Sequence, residues 1–230
     1  ADAGTYAVTA DFTPNDAANY NSLNGAAAGS FTIGKAATTT AITCDPGPFV
    51  FDGTAQTPCA ATVTGAGGLS AVVAVVYADN TNAGTAAANA DYSGDANYQL
   101  SSDNTTFTID QAASTTTVTC NAGPFTYTGS AIEPCAAGVT GPGGLSLALT
   151  VSYANNIGAG TANAGASYAG AANYLGSTDS TTFAIAKATP VLAVTNSPVT
   201  FDGTQHAAVL AASAPAGTVA GTFSGLRYDG

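Results

Sequence analysis

Apolar and polar residues alternate with a period of two through much of this 230-residue chain. The alternation is clearest in three segments: Phe49 and Phe51; Val73, Val75 and Tyr77; and Phe107 and Ile109. This pattern is typical of β-strands with one buried face. Turn sequences rich in Gly, Asp and Asn separate the runs every 8 to 12 residues or so. We therefore predict an all-β protein with essentially no helix, and we expect the glycine-bracketed Ala26-Ala27-Ala28 to be a loop.

The chain also repeats itself. Cys44 corresponds to Cys120 and Cys59 to Cys135, in both cases with an offset of 76 residues that continues without gaps. Self-similarity at a fixed period indicates a repeat architecture. Two complete repeats run over residues 38–113 and 114–189. Residues 1–37 match only the second half of a repeat, and residues 190–230 match only the first half.

The two partial repeats make one repeat if the end of one copy precedes the start of another. Tyr228 then stands at the Tyr77 position and Gly4 at the Gly84 position. The expected head-to-tail junction consists of Tyr228, Asp229, Gly230, Ala1, Asp2, Ala3 and Gly4. Three explanations are open. The sequence is one period of a longer covalent chain, or residues 1–37 complete the partial domain of an adjoining subunit, or the boundaries are arbitrary.

Aromatic residues must supply much of any core, because Ala contributes little buried area. The alternating positions predict these core aromatics: Phe51, Tyr77, Tyr92, Phe107, Tyr127, Tyr153, Tyr168 and Phe183. Six or seven short strands per repeat, separated by regular turns, favour an immunoglobulin-like β-sandwich. We expect tandem domains of this kind, arranged like beads on a string.

Each complete repeat contains one pair of cysteines: Cys44 with Cys59, and Cys120 with Cys135. A zinc site needs four ligands, and only His206 could supplement a pair. Two local disulfides are therefore predicted, each stabilising by about 3 kcal/mol in the chain-entropy model. Disulfides also indicate an oxidising compartment. The repeat formed by the two partial halves has no cysteine, so we expect it to be the least stable.

Several short motifs carry a family resemblance: Phe49-Val50-Phe51-Asp52-Gly53-Thr54, Ala83-Gly84-Thr85, Asn97-Tyr98 and Thr106-Phe107-Thr108-Ile109. They resemble the MBG-type immunoglobulin-like repeats of large bacterial surface proteins. The resemblance covers the whole chain, repeat by repeat, and rests on turn residues and core aromatics. It implies β-sandwich domains arrayed in extracellular stalks, adhesins or fibres. It implies no catalytic residue.

Charge excludes some partners. The chain has three basic and 14 acidic residues, and its formal net charge is −11. A basic patch that could neutralise phosphates cannot be assembled, so we expect no nucleic-acid binding and no attraction to anionic membranes. The apolar runs are too short to span a bilayer, so membrane insertion is not expected. An extracellular or cell-surface location is the expectation.

The sequence contains little that suggests catalysis. His206 is the single histidine and follows a turn, and the lone Glu133 lies beside Pro134. We therefore expect no enzyme activity, no cofactor and no metal. Calcium is the strongest metal alternative, with the acidic clusters Asp11, Asn15 and Asp16, and Asp91 and Asp95. Turn formation by Asp and Asn explains these residues without a metal.

The function expected from the sequence is mechanical. Tandem domains joined by short linkers would build an extracellular filament, fibre or adhesin stalk, with other copies of the chain as head-to-tail partners. The rival hypothesis is an adhesin module that binds surface glycans or a host. Aromatic side chains exposed on loops would favour that rival, whereas aromatics at repeated alternating positions favour a core.

Overall fold

The computed structural model describes residues 1–228 and consists of β-strands joined by turns. The chain divides into two compact units, Ala1–Gln111 and a second that begins at Ala112. Within residues 1–228, helical structure is limited to two single 3-10 turns, Ala66–Gly68 and Pro142–Gly144. The predicted all-β class is confirmed.

The first unit contains nine strands: β1 (Gly4–Phe12), β2 (Leu23–Ile33), β3 (Thr38–Cys44), β4 (Phe49–Val50), β5 (Cys59–Gly65), β6 (Leu69–Val73), β7 (Val75–Ala78), β8 (Gly84–Tyr92) and β9 (Ser101–Asp110). β1 and β2 form an antiparallel hairpin. The other strands form two sheets, in the orders β3-β5-β6 and β4-β9-β8-β7. All pairs are antiparallel except β4 with β9, which is parallel.

The second unit contains ten strands: β10 (Thr115–Cys120), β11 (Phe125–Thr126), β12 (Cys135–Gly141), β13 (Leu145–Leu149), β14 (Ser152–Ala154), β15 (Gly160–Tyr168), β16 (Ser177–Ala186), β17 (Val191–Val194), β18 (Leu210–Ala214) and β19 (Gly217–Thr218). The strands of residues 114–189 reproduce the two sheets of the first repeat, in the orders β10-β12-β13 and β11-β16-β15-β14. A third sheet has the order β17-β18-β19.

In each complete repeat the core lies between the three-stranded and the four-stranded sheet, an arrangement consistent with a β-sandwich. Alternate residues of β8 are alanines that are fully buried, namely Ala86, Ala88 and Ala90. Phe107 on the neighbouring strand fills the space beside them. Its ring contacts those of Phe49 and Tyr77 edge to face, with centroids 5.5 and 6.1 Å apart.

The aromatic residues predicted for the core are all at least half buried. Phe51, Phe107 and Phe183 are buried. The half-buried group consists of Tyr77, Tyr92, Tyr127, Tyr153 and Tyr168. In this group the hydroxyls of Tyr77, Tyr92 and Tyr153 bond to the backbone or to a polar side chain, as is usual for the polar end of a partly buried tyrosine. The Tyr77 hydroxyl, for example, bonds to both the backbone N–H and the carbonyl of Cys59 at 2.8 Å.

The structure contains both predicted disulfides, Cys44–Cys59 and Cys120–Cys135. Each joins residues that face one another across an antiparallel strand pair, where Cα atoms lie 3.9 and 3.8 Å apart. The disulfide therefore holds the two strands together at the end where the chain leaves the strand pair.

The prediction of a loop at Ala26-Ala27-Ala28 is wrong, because these residues belong to β2. Ala26 and Ala27 pair with β1, and Ala28 is the extra residue of a bulge between Ala27 and Gly29. Gly29 has a φ of 116° there, a conformation that favours glycine. The flanking glycines thus accommodate an irregular strand rather than bounding a loop.

Candidate assembly surfaces

The hairpin of β1 and β2 presents apolar side chains that are exposed. We call Tyr6, Val8, Phe31 and Ile33 the hairpin face; the first three are exposed and Ile33 is half-buried. In the first repeat the corresponding hairpin is β8-β9, because Gly4 pairs with Ile33 as Gly84 pairs with Ile109. Phe31 is 60% exposed, whereas Phe107 at its equivalent position is 9% exposed. This difference arises because no three-stranded sheet covers the hairpin face.

The sheet of β17, β18 and β19 presents a second apolar surface. We call Leu192, Val194 and Leu210 the three-strand face; Phe201 lies between β17 and β18, outside the strands. Leu192 is 62% exposed, although Val118 at the same position of the second repeat is 8% exposed. Phe201 is 88% exposed. The equivalent Phe51 is 7% exposed, so this surface also lacks a covering sheet.

The second repeat shows how the two kinds of surface pack when both are present. Val118 from the three-stranded sheet forms one core with Ala162, Ala164 and Phe183 from the β15-β16 hairpin. The equivalents of these residues lie on the two exposed faces. Leu192 corresponds to Val118 on the three-strand face. On the hairpin face Tyr6, Val8 and Phe31 correspond to Ala162, Ala164 and Phe183. The two faces therefore match the two halves of one core.

Both edges of the β1-β2 hairpin are open, because its sheet consists of these two strands. In the first repeat the corresponding edges are occupied by β7, beside β8, and by β4, beside β9. An open strand edge carries unpaired N–H and C=O groups that can pair with another chain. The hairpin thus offers two backbone edges in addition to its apolar face.

The N-terminal residues of the predicted junction contact the first complete repeat within the same unit. The N–H of Ala3 donates to the Asn97 side-chain oxygen at 2.7 Å, and the Asn97 amide donates to Asp2 at 3.0 Å. The Tyr6 hydroxyl donates to the Asp2 carbonyl at 2.6 Å. Asn97 therefore holds the residues that lead into β1. Ala1 and Gly4 flank this contact and are exposed.

At the other end of the predicted junction, Tyr228 is 67% exposed. Its hydroxyl accepts from the N–H of Ala208 at 2.9 Å, as the Tyr77 hydroxyl accepts from Cys59. Residues 220–228 form no strand, in contrast to β7, where Tyr77 lies. Asp229 and Gly230 lie outside the described residues.

Each complete repeat is bonded to the linker that precedes it. The N–H of Ala36 donates to the Asn97 carbonyl and the N–H of Gln99 donates back to Ala36, both at 2.8 Å. In the second unit Ala112 makes the same two bonds with Asn173 and Leu175, both at 2.9 Å. The linker backbone is therefore part of the repeat that follows it.

Three of the acidic residues considered for calcium accept backbone hydrogen bonds, whereas Asp91 lies exposed on β8. Asp16 accepts from the N–H groups of Ala18 and Asn19, and Asp11 accepts from Gly25. Asp95 accepts from the N–H groups of its own loop. Across residues 1–228, no three His, Cys, Asp or Glu side chains are grouped so that they could hold a metal ion.

Asp52 and Asp202 form equivalent turns in their repeats. Asp202 accepts from the N–H and the hydroxyl of Thr204 at 2.9 and 2.6 Å, and from His206 at 2.9 Å. Hydrogen bonds from Thr204, then from His206, lower the pKa of Asp202 below its ordinary value. The pKa of Asp52 is lowered in the same way, chiefly by Thr54. These exposed carboxylates stabilise turns in their ionised form.

Comparison with protein-family models, with curated proteins and with solved structures found no match. None of the helical segments described in residues 1–228 has the length and apolar character needed to cross a membrane. The disulfides fit an oxidising environment.

Reasoning from the sequence identified the junction by turn residues and did not name the two apolar faces. A signal for them was present. Tyr6, Val8 and Phe31 stand at repeat positions whose counterparts alternate inward, and so do Leu192 and Phe201. Comparing each half with the complete repeats would have identified these residues.

Proposed function

We propose that this chain is a structural building block of an extracellular bacterial filament, fibre or adhesin stalk made of tandem immunoglobulin-like domains. The chain propagates head to tail, and residues 1–37 of one copy complete the domain begun by residues 190–230 of another. The connection between copies is either a continuous covalent chain or complementation between separate subunits. In both cases the partner is another copy of the same sequence.

The distribution of exposed aromatic residues carries this proposal. Within residues 1–228, the exposed aromatics, with exposed fractions from 39% to 88%, all lie in the partial repeats: Tyr6, Phe12, Tyr20, Phe31, Phe201, Phe223 and Tyr228. The aromatics of the two complete repeats are buried or half-buried. Exposed apolar area of this kind marks an interaction site. Because the hairpin face and the three-strand face match the two halves of one core, each is a suitable partner for the other in another copy of the chain.

The linkers and disulfides suit a mechanical role. Two residues before each complete repeat begins, at Ala36 and Ala112, the backbone is bonded into the repeat that follows, which anchors the linker to that repeat. A local disulfide closes a 15-residue separation in each complete repeat and restricts its unfolded state. The resemblance to MBG-type repeats of bacterial surface proteins and the oxidised cysteines support an extracellular location.

The rival hypothesis of a glycan-binding module predicts aromatic side chains exposed on loops. Tyr20 meets this description, but its counterpart Tyr98 donates its hydroxyl to the Ala66 carbonyl within the first repeat at 2.7 Å. The exposure of Tyr20 is therefore explained by a missing half-domain. An enzyme is also less favoured, because the shifted carboxylate pKa values are lowered in exposed turns rather than raised in a cleft.

Sedimentation velocity and negative-stain electron microscopy of the 230-residue chain test the proposal. We expect linear polymers whose length rises with concentration, because a head-to-tail contact does not close on itself. The variants Phe31→Asp and Phe201→Asp should remain monomeric. Val72→Asp is the matched control, since Val72 is 85% exposed in a complete repeat. A wild-type chain that stays monomeric at every concentration, together with a native mass near 22.2 kDa, would overturn the proposal.

The mass of the native chain distinguishes the two kinds of connection. Under denaturing and reducing conditions, a mass near 22.2 kDa means separate subunits joined by complementation. A mass many times larger means a continuous chain in which this sequence is one period.

A further inference from the structure

Resting on the proposed function, we propose the register in which two copies join. Residues 226–228 of one copy add to the open edge of β1 in the next copy as an antiparallel strand, with Tyr228 opposite Val8 and Arg227 opposite Thr9. Val199 pairs in parallel with β2, opposite Ile33. The completed sheet has four strands, as in the complete repeats.

The register at β1 follows from the pairing of β7 with β8. Tyr77 faces Ala88 and Val76 faces Asn89. Tyr228 stands at the Tyr77 position, where its hydroxyl makes the equivalent kind of bond to the backbone. Val8 and Thr9 stand at the positions of Ala88 and Asn89, because β1 and β8 begin at glycines paired with Ile33 and Ile109.

The register at β2 follows from the parallel pair of β4 and β9. Phe49 faces Ile109 in that pair. Val199 precedes Phe201-Asp202-Gly203 as Phe49 precedes Phe51-Asp52-Gly53. In the first repeat the N–H of Phe51 donates to the Asp110 carbonyl at 2.9 Å. The N–H of Phe201 should therefore donate to the Gly34 carbonyl of the next copy.

Side-chain sizes at the proposed contact are complementary. Where the first repeat has the small Ala86 and Ala88, the hairpin face has Tyr6 and Val8. Val199 is smaller than Phe49, which it replaces. The greater bulk of Tyr6 and Val8 would thus be offset in part by the smaller side chain of Val199. Phe31 would lie between Val199 and Tyr228, as Phe107 lies between Phe49 and Tyr77.

The irregular conformation of residues 220–228 agrees with this register. β7 is an edge strand whose backbone bonds are made with β8. Residues 226–228 have no such neighbour, so they form no strand. Addition to the open edge of β1 would supply these bonds and order the segment, as in other cases of β-strand addition.

Cysteine cross-linking tests the register. The wild-type chain has no free cysteine. The double variant Thr9→Cys with Arg227→Cys places thiols on the outer side of the sheet, since Asn89 and Val76 are both exposed. Under mild oxidation it should form a ladder of covalent multimers on non-reducing gels. Each single variant, Thr9→Cys or Arg227→Cys alone, can give no product larger than a dimer.

A register-shifted pair is the matched control. Thr5 lies on the same side of β1 as Thr9 but about 13 Å away along the strand, which is beyond the Cα separation of about 7 Å that a disulfide tolerates. The variant Thr5→Cys with Arg227→Cys should therefore give no ladder. Equal ladders from both pairs, or a ladder from the control pair alone, would overturn the proposed register.

Sedimentation of the same variants separates the two proposals. If the Thr9→Cys, Arg227→Cys double variant forms polymers but no covalent ladder, the register is overturned and the filament function is left intact. Absence of polymers in the wild-type chain and in both double variants, together with a native mass near 22.2 kDa, would overturn the filament function, and the register with it.

Discussion

Val194 faces Leu210 across the antiparallel pair of β17 and β18, at the position where Cys44 faces Cys59 in the first repeat. The strand register of the repeat is thus kept while the disulfide is replaced by an apolar pair. A disulfide at this position would stabilise the sheet of β17, β18 and β19, which no second sheet covers in this structure. Under the proposed function, the domain formed by the two partial repeats would depend on burial of their apolar faces, and we expect it to be the least stable.

The first prediction restores the missing cross-link. The variant Val194→Cys with Leu210→Cys should form a disulfide, because these residues are register partners like the natural cysteine pairs. Closing a loop of this length should stabilise the sheet by about 3 kcal/mol. Thiol titration under denaturing conditions checks bond formation, and urea unfolding checks stability. The single variant Val194→Cys is the control. Two free thiols in the double variant after oxidation would contradict the assigned register.

The second prediction concerns the tyrosine hydroxyl beside each disulfide. The Tyr153 hydroxyl accepts from the Cys135 N–H at 2.9 Å and donates to its carbonyl at 3.0 Å. Tyr153→Phe leaves both backbone groups without this partner in a half-buried site. We expect a loss of about 1–3 kcal/mol in unfolding free energy, measured by urea unfolding followed by circular dichroism. Tyr92→Phe is the control, because its exposed hydroxyl makes a longer bond of 3.3 Å to Asp95. Equal effects of the two variants would refute the assignment.

The fold class and the disulfides were predictable because both depend on local pattern and spacing. Alternation identified strands such as β9, and the separation of Cys44 and Cys59 left a local bond as the simplest pairing. The strand at Ala26-Ala27-Ala28 was not predictable, since a run of alanines between glycines has no alternation and forms a strand by pairing with β1.

Other features depend on the sheet partners of a segment. The parallel pair of β4 and β9 joins residues about 60 positions apart, which spacing alone does not indicate. The β18-β19 hairpin is shorter than its counterpart, because Ala214 pairs with Gly217 whereas Gly65 pairs with Leu69 in the first repeat. Residues 220–228 form no strand, although their counterpart in the first repeat contains β7. The proposed register explains this by a missing neighbouring strand, which local sequence does not reveal.

The third prediction addresses the loop that holds β1 and the preceding linker. The Asn97 side chain bonds to Ala3 and Asp2, whereas its backbone carbonyl accepts from Ala36. Asn97→Ala should release the residues before β1 and preserve the linker bond. We expect faster amide hydrogen exchange at Ala3 and little change at Ala36. The control is Asn89→Ala, an exposed position on β8. Equal acceleration at both amides would mean that the whole loop had unfolded, contrary to this prediction.

The fourth prediction is a pH dependence confined to one loop. The backbone N–H of Asn97 lowers the pKa of Asp95, with further contributions from the N–H of Tyr98 and the Tyr92 hydroxyl. A carboxyl whose pKa is lower in the folded state stabilises the fold above its unfolded pKa of 3.8 and loses this effect as the pH falls through the folded value.

Stability of the first repeat should therefore decrease as the pH falls from about 5 to about 2, and Asp95→Asn should make that decrease smaller. Ala171 starts the corresponding turn of the second repeat, where its N–H bonds to the Tyr174 carbonyl as that of Asp95 bonds to the Tyr98 carbonyl. Because the second repeat has Ala171 where the first has Asp95, no carboxylate ionises in its turn. Amide exchange in that turn should therefore not respond to carboxylate ionisation. Melting temperatures and residue-resolved exchange across this pH range check both statements.

The control Asp91→Asn alters an exposed carboxylate of β8. If Asp91→Asn and Asp95→Asn flattened the pH profile equally, the effect would reflect net charge rather than the hydrogen bonds of the Asp95 loop.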